Sequence, residues 1–236
     1  CRVRTLISLT VIFLLGYWVL MTLVPVPGIG AANVDEPDGH LSGWIDRVVF
    51  GEHLWQSAKV YDPEGILSTV PALATTLFGV FAGLLLIAAR DPVEKVARLF
   101  VAGSLLVGVG YVWDWFFPIN KPIWTSSYAV FTAGLAFCCL ALCLWFFDIR
   151  GENPISKIFV IYGVNAIVLF VGSGIIARTL SYARVGGVPL KKIIYDTVFA
   201  WWLPPYPASL AYAITWILGW YFVLAWMYRR NFIVKV

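Results

Sequence analysis

Long stretches without charged residues constrain this chain more than any other feature of its sequence. A helix of about 20 residues crosses roughly 30 Å of hydrocarbon. We predict six such helices, over residues 5–24, 66–89, 99–117, 126–147, 158–176 and 209–227. Hydrophobic residues make up 61% of the sequence, well above their share in soluble domains. The sequence therefore predicts an all-α fold, a polytopic transmembrane helical bundle of about six spans in the lipid bilayer, as a single domain over residues 1–236.

The distribution of charge predicts how the bundle is oriented. Six crossings place both termini on one side, which carries ten of the 17 basic residues: Arg2, Arg4, Arg90, Lys95, Arg98, Arg150, Lys157, Arg229, Arg230 and Lys235. Because cytoplasmic loops are enriched in Lys and Arg, we assign this side to the cytoplasm. The opposite side carries most of the acids and the two long connections, residues 25–65 and 177–208. A dispersed net charge of +4 argues against a nucleic-acid partner.

Two segments of the long connections are amphipathic. Residues 41–50 have apolar side chains at helical spacing, with Asp46 and Arg47 on the other face. They predict an interfacial helix whose charged residues turn away from the membrane. Residues 184–202 mix lysines with apolar and Trp side chains and predict a second element of this kind. Both belong to the extracytoplasmic side.

Small residues within the spans have structural interpretations. Gly79 and Gly83 form a small-xxx-small face that would let another helix approach closely. Three cysteines lie in one apolar segment and count as small hydrophobic residues: Cys138, Cys139 and Cys143. No metal-ligand spacing is found, so we predict no metal. Since the chain begins with Cys1 and shows no signal sequence, we expect it to be part of a longer protein.

Two clusters of polar residues at the extracytoplasmic ends of the spans are candidate substrate-binding sites. Asp62 and Glu64 precede the second span, where they either complement the helix dipole or bind a polar substrate. Asn120, Lys121 and Trp124 lie in the turn between the third and fourth spans. Together they offer an amide, a cation and an aromatic face, a set suited to a sugar or an anionic group. The alternative is a proline-built turn followed by a Thr or Ser helix cap.

Three further residues have chemistry that a membrane protein rarely carries without a reason. Asn165 is expected near the middle of an apolar span, where it forms either an interhelical hydrogen bond or part of a site. His40 and His53 are the two histidines and lie on the extracytoplasmic side. The ordinary pKa of histidine suits a general base. Of the two, His53 is the candidate catalytic residue, although a loop histidine is more often structural.

Several ordered motifs resemble those of one membrane protein family. They are LGYWVLM at 15–21, VPVPG at 24–28, Asp46-Arg47, EHLW at 52–55, DPEGILST at 62–69, PINKPIWTSS at 118–127 and GVNA at 163–166. In this order they resemble the heparan-α-glucosaminide N-acetyltransferase family and its bacterial, NagX-like members. The resemblance covers the C-terminal part of that family.

The resemblance implies a membrane-bound acyltransferase in a bacterial inner membrane. Its members would move an acetyl group from cytoplasmic acetyl-CoA, as co-substrate, to an extracytoplasmic amino sugar or related acceptor. The N-terminal half that carries the family's expected catalytic histidine has no counterpart here. We therefore expect this chain to hold acceptor-binding residues and not the complete catalytic machinery.

Two other functions remain open from the sequence. The alternative to an enzyme is a non-catalytic transmembrane subunit, which would have a second copy of the chain or other membrane subunits as partners. A transporter is a weaker alternative, because polar residues are sparse along the spans and no inverted repeat is evident.

Overall fold

The computed structural model describes residues 2–151 and 154–234, and this part of the chain is almost entirely helical. Its helices are α1 (Val3–Leu23), α2 (Leu41–Phe50), α3 (Thr69–Ala88), α4 (Pro92–Asp114), α5 (Ser126–Cys143), α6 (Pro154–Val164), α7 (Ala166–Tyr182), α8 (Leu190–Tyr195) and α9 (Pro205–Arg229). Five spans of the described chain are long and apolar enough to cross a membrane, and the bent pair α6 and α7 brings the number up to six. The predicted all-α transmembrane fold is confirmed.

The helices group into two compact units, Cys1–Arg150 and Gly151–Val236. Many side chains on the outer faces of the apolar helices are exposed, as lipid-facing residues are expected to be: Ile87 is 81% exposed and Phe170 is 80% exposed. The single domain over residues 1–236 stays a prediction. Cys1 and Lys235, which entered the sequence predictions, lie outside the described residues.

Glycines allow the closest helix contact in the first unit, between α4 and α5. A Cβ atom on Gly110 would lie 2.6 Å from the backbone nitrogen of Phe131, and one on Gly134 would be equally close to the backbone of α4. Only a glycine leaves room for such an approach. The close helix approach predicted at Gly79 and Gly83 is not observed within the described chain. No described atom lies within 4 Å of a Cβ at either position.

The third span begins seven residues earlier than the sequence prediction. Asp91 caps α4 by accepting a hydrogen bond of 2.9 Å from the backbone N–H of Glu94, and Pro92 occupies the first helical turn. Glu94 then pairs with Arg98 one turn on. Asp, Pro and Glu in this order are an N-terminal signal, which the charge-free windows concealed.

The predicted span over 158–176 is two helices in the structure. α6 and α7 meet at Asn165 with a bend of 72°. Gly172 of α7 gives space to the ring of Trp220 in α9, and Ile176 and Leu180 line a cavity with α9 residues nearer its N-terminus, so α7 runs antiparallel to α9. The 11 residues of α6 measure only about 16 Å. α7 has 17 residues, and only together do the two helices match the length and hydropathy of a span.

The second amphipathic segment contains a β-hairpin that the sequence analysis did not predict. Arg184–Val185 pairs in antiparallel register with Val188–Pro189, and the turn is formed by Gly186 and Gly187, both with positive φ. Two successive residues of this kind form the two-residue turn that matches strand twist. α8 follows and continues as a π-helical turn, Asp196–Ala200.

The long connection before α3 folds against the first unit through α2, whose bounds match the amphipathic helix in the sequence. Its polar face is the one that packs inward, because Ser42, Gly43 and Asp46 are buried. Val48 and Val49 are 64% and 59% exposed. Asp46 thus lies away from exposed Val48 and Val49, as the amphipathic pattern predicts, but its face is covered by the protein. In a soluble protein the apolar face of an amphipathic helix packs inward. At a membrane surface the apolar face can contact lipid instead, while the polar face forms hydrogen bonds inside the protein.

Candidate functional site

Asp46 holds the loop that carries the two predicted substrate-binding acids. Its carboxylate is fully buried and accepts hydrogen bonds from the backbone N–H groups of Asp62, at 3.2 Å, and Ile66, at 3.1 Å. Burial raises the pKa of Asp46, and the two backbone hydrogen bonds oppose that rise. Gly65 lies against the same carboxylate, because a Cβ there would be 2.3 Å from an Asp46 oxygen. The loop is thus shaped around one buried anion.

Arg47 and His40 fix the same segment from its other side. The Arg47 guanidinium donates to the backbone carbonyls of Val60, at 2.8 Å, and Asp38, at 3.1 Å. The Nδ1 atom of His40 accepts the N–H of Gly43 at 3.0 Å and caps α2. Burial, with the nearby Arg47 charge, lowers the pKa of His40 to about 4. The Nδ1 lone pair of His40 is thus already used to cap α2, so His40 has a structural role.

A cavity of about 570 Å³ brings together three of the predicted site residues: His53, Asp62 and Glu64 line it with Trp55 and Pro63. Asp62 is half-buried, and the other two titratable side chains are exposed. Asp62 also accepts the backbone N–H of Glu64 at 2.9 Å, which fixes the spacing of the two acids along the loop. One imidazole and two carboxylates thus face a common space of a size that suits a small organic ligand.

A second cavity, of about 200 Å³, shares Pro63 and Glu64 with the first and adds Trp124. The indole N–H of Trp124 donates to the hydroxyl of Thr75 at 3.1 Å, which holds the ring against α3. Trp124 has a φ of 52°, a left-handed conformation that non-glycine residues adopt at a cost in free energy. Glu64 thus lines both cavities. The first contains the acids and the histidine, and the second has Trp124 as an aromatic wall.

The remaining residues of the predicted turn do not line either cavity. Thr125 caps α5 through the N–H of Tyr128 and also accepts the backbone N–H of Asn120 at 2.9 Å, so the capping alternative is confirmed for Thr125. The side-chain oxygen of Asn120 is buried without a hydrogen-bond partner among the described residues. Lys121 is exposed. Their part in substrate binding stays a prediction.

Asn165 lies in the second unit and joins two segments there. Its side chain is fully buried; the amide donates to the carbonyl of Phe232 at 3.1 Å and accepts the N–H of Val234 at 3.0 Å. Asn165 is therefore at the break between α6 and α7, level with the segment that follows α9, and not in the middle of a span. A paired and enclosed amide is the geometry expected of a structural residue.

The helix-dipole interpretation of the two acids is wrong. α3 begins at Thr69 and has no acidic residue in its first turn, whereas Asp62 and Glu64 lie in the loop before it. The two carboxylates give their cavity a negative potential that favours cationic ligands. Within residues 2–151 and 154–234, no three His, Cys, Asp or Glu side chains are placed to hold a metal ion.

Sequence reasoning missed Asp46 and Gly65 as the residues that shape the site. The sequence shows Asp46 as an acid on one face of an amphipathic helix. Helical periodicity separates the two faces of such a helix but does not tell which face packs against the protein. Gly65 follows the two acids directly. A glycine beside a polar cluster is a signal of close approach that can be sought in other sequences.

Comparison with known proteins finds similarity to heparan-alpha-glucosaminide N-acetyltransferase of Mus musculus, with 28% identity over 193 residues, and to the enzyme of the same name of Homo sapiens, with 29% identity over 193 residues. Each alignment covers 70% of this chain and 29% of the relative. The chain thus spans less than a third of the length of these curated relatives. No family model matches the chain. The resemblance found in the motifs is confirmed.

Proposed function

We propose that this chain supplies the membrane scaffold and acceptor-binding loop of an acyltransferase. In the proposed reaction, the amine of an extracytoplasmic amino sugar or related acceptor attacks the thioester carbonyl of acetyl-CoA from the cytoplasm. The new C–N bond forms, the C–S bond breaks, a base takes the amine proton and the thiol is released. Similarity to two N-acetyltransferases supports this class of reaction.

The observation that carries the proposal is the shared cavity of His53, Asp62 and Glu64. Two carboxylates attract the ammonium form of an amine acceptor, and a sugar ring can pack on an aromatic face such as Trp124. The same acids would repel the phosphate groups of coenzyme A. The cavity therefore suits the acceptor better than the acetyl donor.

Two assignments of the base are compatible with this cavity. His53 is the candidate within the described residues, because its imidazole faces the acids that would bind the amine. The resemblance instead implies a histidine from the longer protein. In either case Asp62 and Glu64 orient the acceptor, and binding in the right geometry is itself a large part of catalysis.

The test is acetyl transfer by the complete protein in proteoliposomes, with labelled acetyl-CoA and glucosamine as the acceptor. We expect Glu64→Gln and Asp62→Asn each to raise the acceptor KM, by about tenfold for the loss of one charge-assisted hydrogen bond. Glu52→Gln is the matched control, since Glu52 lines a different cavity. Equal kinetics for all three variants would contradict the acceptor site.

The non-catalytic alternative predicts a different result in this assay. A subunit that only packs in a larger complex would show no transfer by the complete protein with any amine acceptor. Transfer that falls with Glu64→Gln but not with Glu52→Gln would exclude this alternative.

We also propose that both termini of this chain are cytoplasmic and that its membrane is a bacterial inner membrane. The excess of basic residues at one end of the predicted spans supports the orientation, and the resemblance of the sequence motifs to bacterial, NagX-like proteins supports the location. Single cysteines introduced at Lys95 and Asp35 test it with a membrane-impermeant thiol reagent. In intact cells we expect labelling at residue 35 and protection at residue 95. The reverse pattern would overturn the orientation.

A further inference from the structure

The second unit contains an apolar cavity of about 530 Å³ that none of the predicted site residues lines. Its walls come from three elements: Ile176 and Leu180 of α7, Ile194 and Val198 of the α8 segment, and the side of α9 that includes Gly219. Gly219 leaves its part of the wall open, because no described atom lies within 4 Å of a Cβ there.

Most of this wall is aliphatic or aromatic, and its one aliphatic hydroxyl is bonded within its own helix. The hydroxyl of Thr215 donates to the carbonyl of Ala211 at 2.8 Å. Tyr212 packs by edge-to-face contacts against Tyr195, at 6.0 Å, and Phe199, at 5.7 Å between ring centroids. An occupant with its own hydrogen-bonding groups would gain little from such a wall, so the cavity is suited to hydrocarbon.

The length of the cavity matches one leaflet of a bilayer. Along α9 it extends from Tyr212 to Val223, which is about 16 Å at the rise of an α-helix. The hydrocarbon region of a membrane is about 30 Å thick, so half of it is about as long as the cavity. A lipid chain that enters from the α8 end would remain at its normal depth.

The α8 end carries the charge that an anionic headgroup requires. Between residues 178 and 200 there are four basic residues and one acid. The acid, Asp196, is already paired with Lys192 at 2.6 Å. Lys191 is exposed and has no ion pair within the part of the chain that the structure describes. Lys191 and Ile194 are three residues apart in α8 and therefore on one face of it, and Ile194 lines the cavity, so Lys191 lies within one helical turn of the cavity wall.

We propose that this cavity binds one acyl chain of an anionic phospholipid, with the headgroup phosphate at Lys191. The proposal is independent of the acyltransferase reaction, because it uses no residue of the acceptor site. It assigns the amphipathic segment after α7 to lipid recognition: the apolar residues contact the chain, and the basic residues at the membrane surface select the headgroup.

The test is photo-crosslinking in vesicles with a phosphatidylglycerol that carries a diazirine on its acyl chain, followed by mass spectrometry of the labelled peptides. We expect adducts on α9 between residues 212 and 223. Gly219→Leu should abolish them, because a Cβ at this position meets no described atom within 4 Å and a leucine side chain would occupy part of the cavity that Gly219 lines. Gly174→Leu is the matched control, since a Cβ there also meets no described atom within 4 Å and Gly174 does not line the cavity.

The headgroup is tested by competition between unlabelled phosphatidylglycerol and phosphatidylcholine. We expect Lys191→Gln to reduce the preference for phosphatidylglycerol about fivefold, as a basic residue near a membrane surface contributes about 1 kcal/mol. Lys157→Gln, in α6, should leave the preference unchanged. Labelling of Gly219→Leu at the wild-type level, in protein that elutes as a single folded species, would overturn the acyl-chain site. Equal competition by the two lipids in the wild type would overturn the headgroup assignment.

Discussion

Replacing Asp46 with Asn should loosen the loop that carries the proposed acceptor site, while keeping the size of the side chain. The Asp46 carboxylate accepts two backbone hydrogen bonds, from Asp62 and Ile66. An amide has one acceptor oxygen, so one of these N–H groups would face an NH₂ group instead. A buried hydrogen bond to a charged group contributes about 1.5–3 kcal/mol. Asp46→Asn also removes the burial of a charge, which offsets part of this loss.

We therefore expect a net loss of about 1–3 kcal/mol of local stability. The measurement is hydrogen exchange of residues 60–66 by mass spectrometry. Exchange from local opening should accelerate by roughly 5–150-fold, since about 1.4 kcal/mol corresponds to a factor of ten. Asp35→Asn is the control, because Asp35 is exposed. Exchange that is equal in the two variants would refute the role of Asp46.

Gly65 provides an independent check of the same geometry. A methyl group there would collide with the Asp46 carboxylate, whose nearest oxygen is 2.3 Å from the Cβ position. Gly65→Ala should therefore accelerate exchange in the wild-type background and have a smaller effect in Asp46→Ala, where the colliding oxygens are gone. Additive effects of the two substitutions would show that the residues act separately.

Three further predictions use single substitutions. The pKa of His40 is lowered to about 4, so the folded protein favours the neutral imidazole. The free energy of unfolding should therefore be unaffected by His40 above about pH 6.5 and should fall by about 3 kcal/mol as the pH decreases towards 4. Hydrogen exchange of α2 against pH should show this loss in the wild type and in His53→Gln but not in His40→Asn, whereas the raised pKa of Asp46 acts in the opposite direction in all three. Gly110→Ala should destabilise the protein by about 1–3 kcal/mol in thermal unfolding, whereas Gly79→Ala should be neutral or stabilise it by up to about 1 kcal/mol. Asn165→Ala should reduce folded yield and leave transfer per folded molecule unchanged; a loss of specific activity would return Asn165 to the site.

Hydropathy could predict the five spans that are single helices, α1, α3, α4, α5 and α9, because a helix satisfies the backbone hydrogen bonds where no water can reach them. It could not place their ends. α4 begins at Pro92 because Asp91 caps it, and the charged first turn lies beyond the apolar window. Charge-free windows report the part of a helix inside hydrocarbon, while caps and turns report where the helix begins.

The candidate site was predictable in its composition more than in its arrangement. His53, Asp62, Glu64 and Trp124 were recognised as polar or aromatic residues at one end of the spans, and two cavities that share Glu64 contain all four. Asn165 shows the limit of such reasoning. An amide in an apolar segment indicates a need for hydrogen bonds, but the partners here are the backbone of residues 67 and 69 positions away, a distance that no local pattern reports.

The break at Asn165 divides the predicted fifth span into a bent pair of helices, which brings the number of spans to six only if the pair is one span. α6 has 11 residues and is too short to span about 30 Å of hydrocarbon, whereas the 17 residues of α7 reach the lower limit for a spanning helix. α6 itself packs along α9, because Ile161 lies in a cluster with Trp220 and Leu224 and the hydroxyl of Tyr162 donates to the carbonyl of Ile217 at 2.6 Å. The proposed orientation, with both termini on one side, requires the bent pair to cross once. A sequence in which a polar residue interrupts a long apolar stretch should therefore be tested for two helices that meet at that residue, before the residue is interpreted as part of a substrate site.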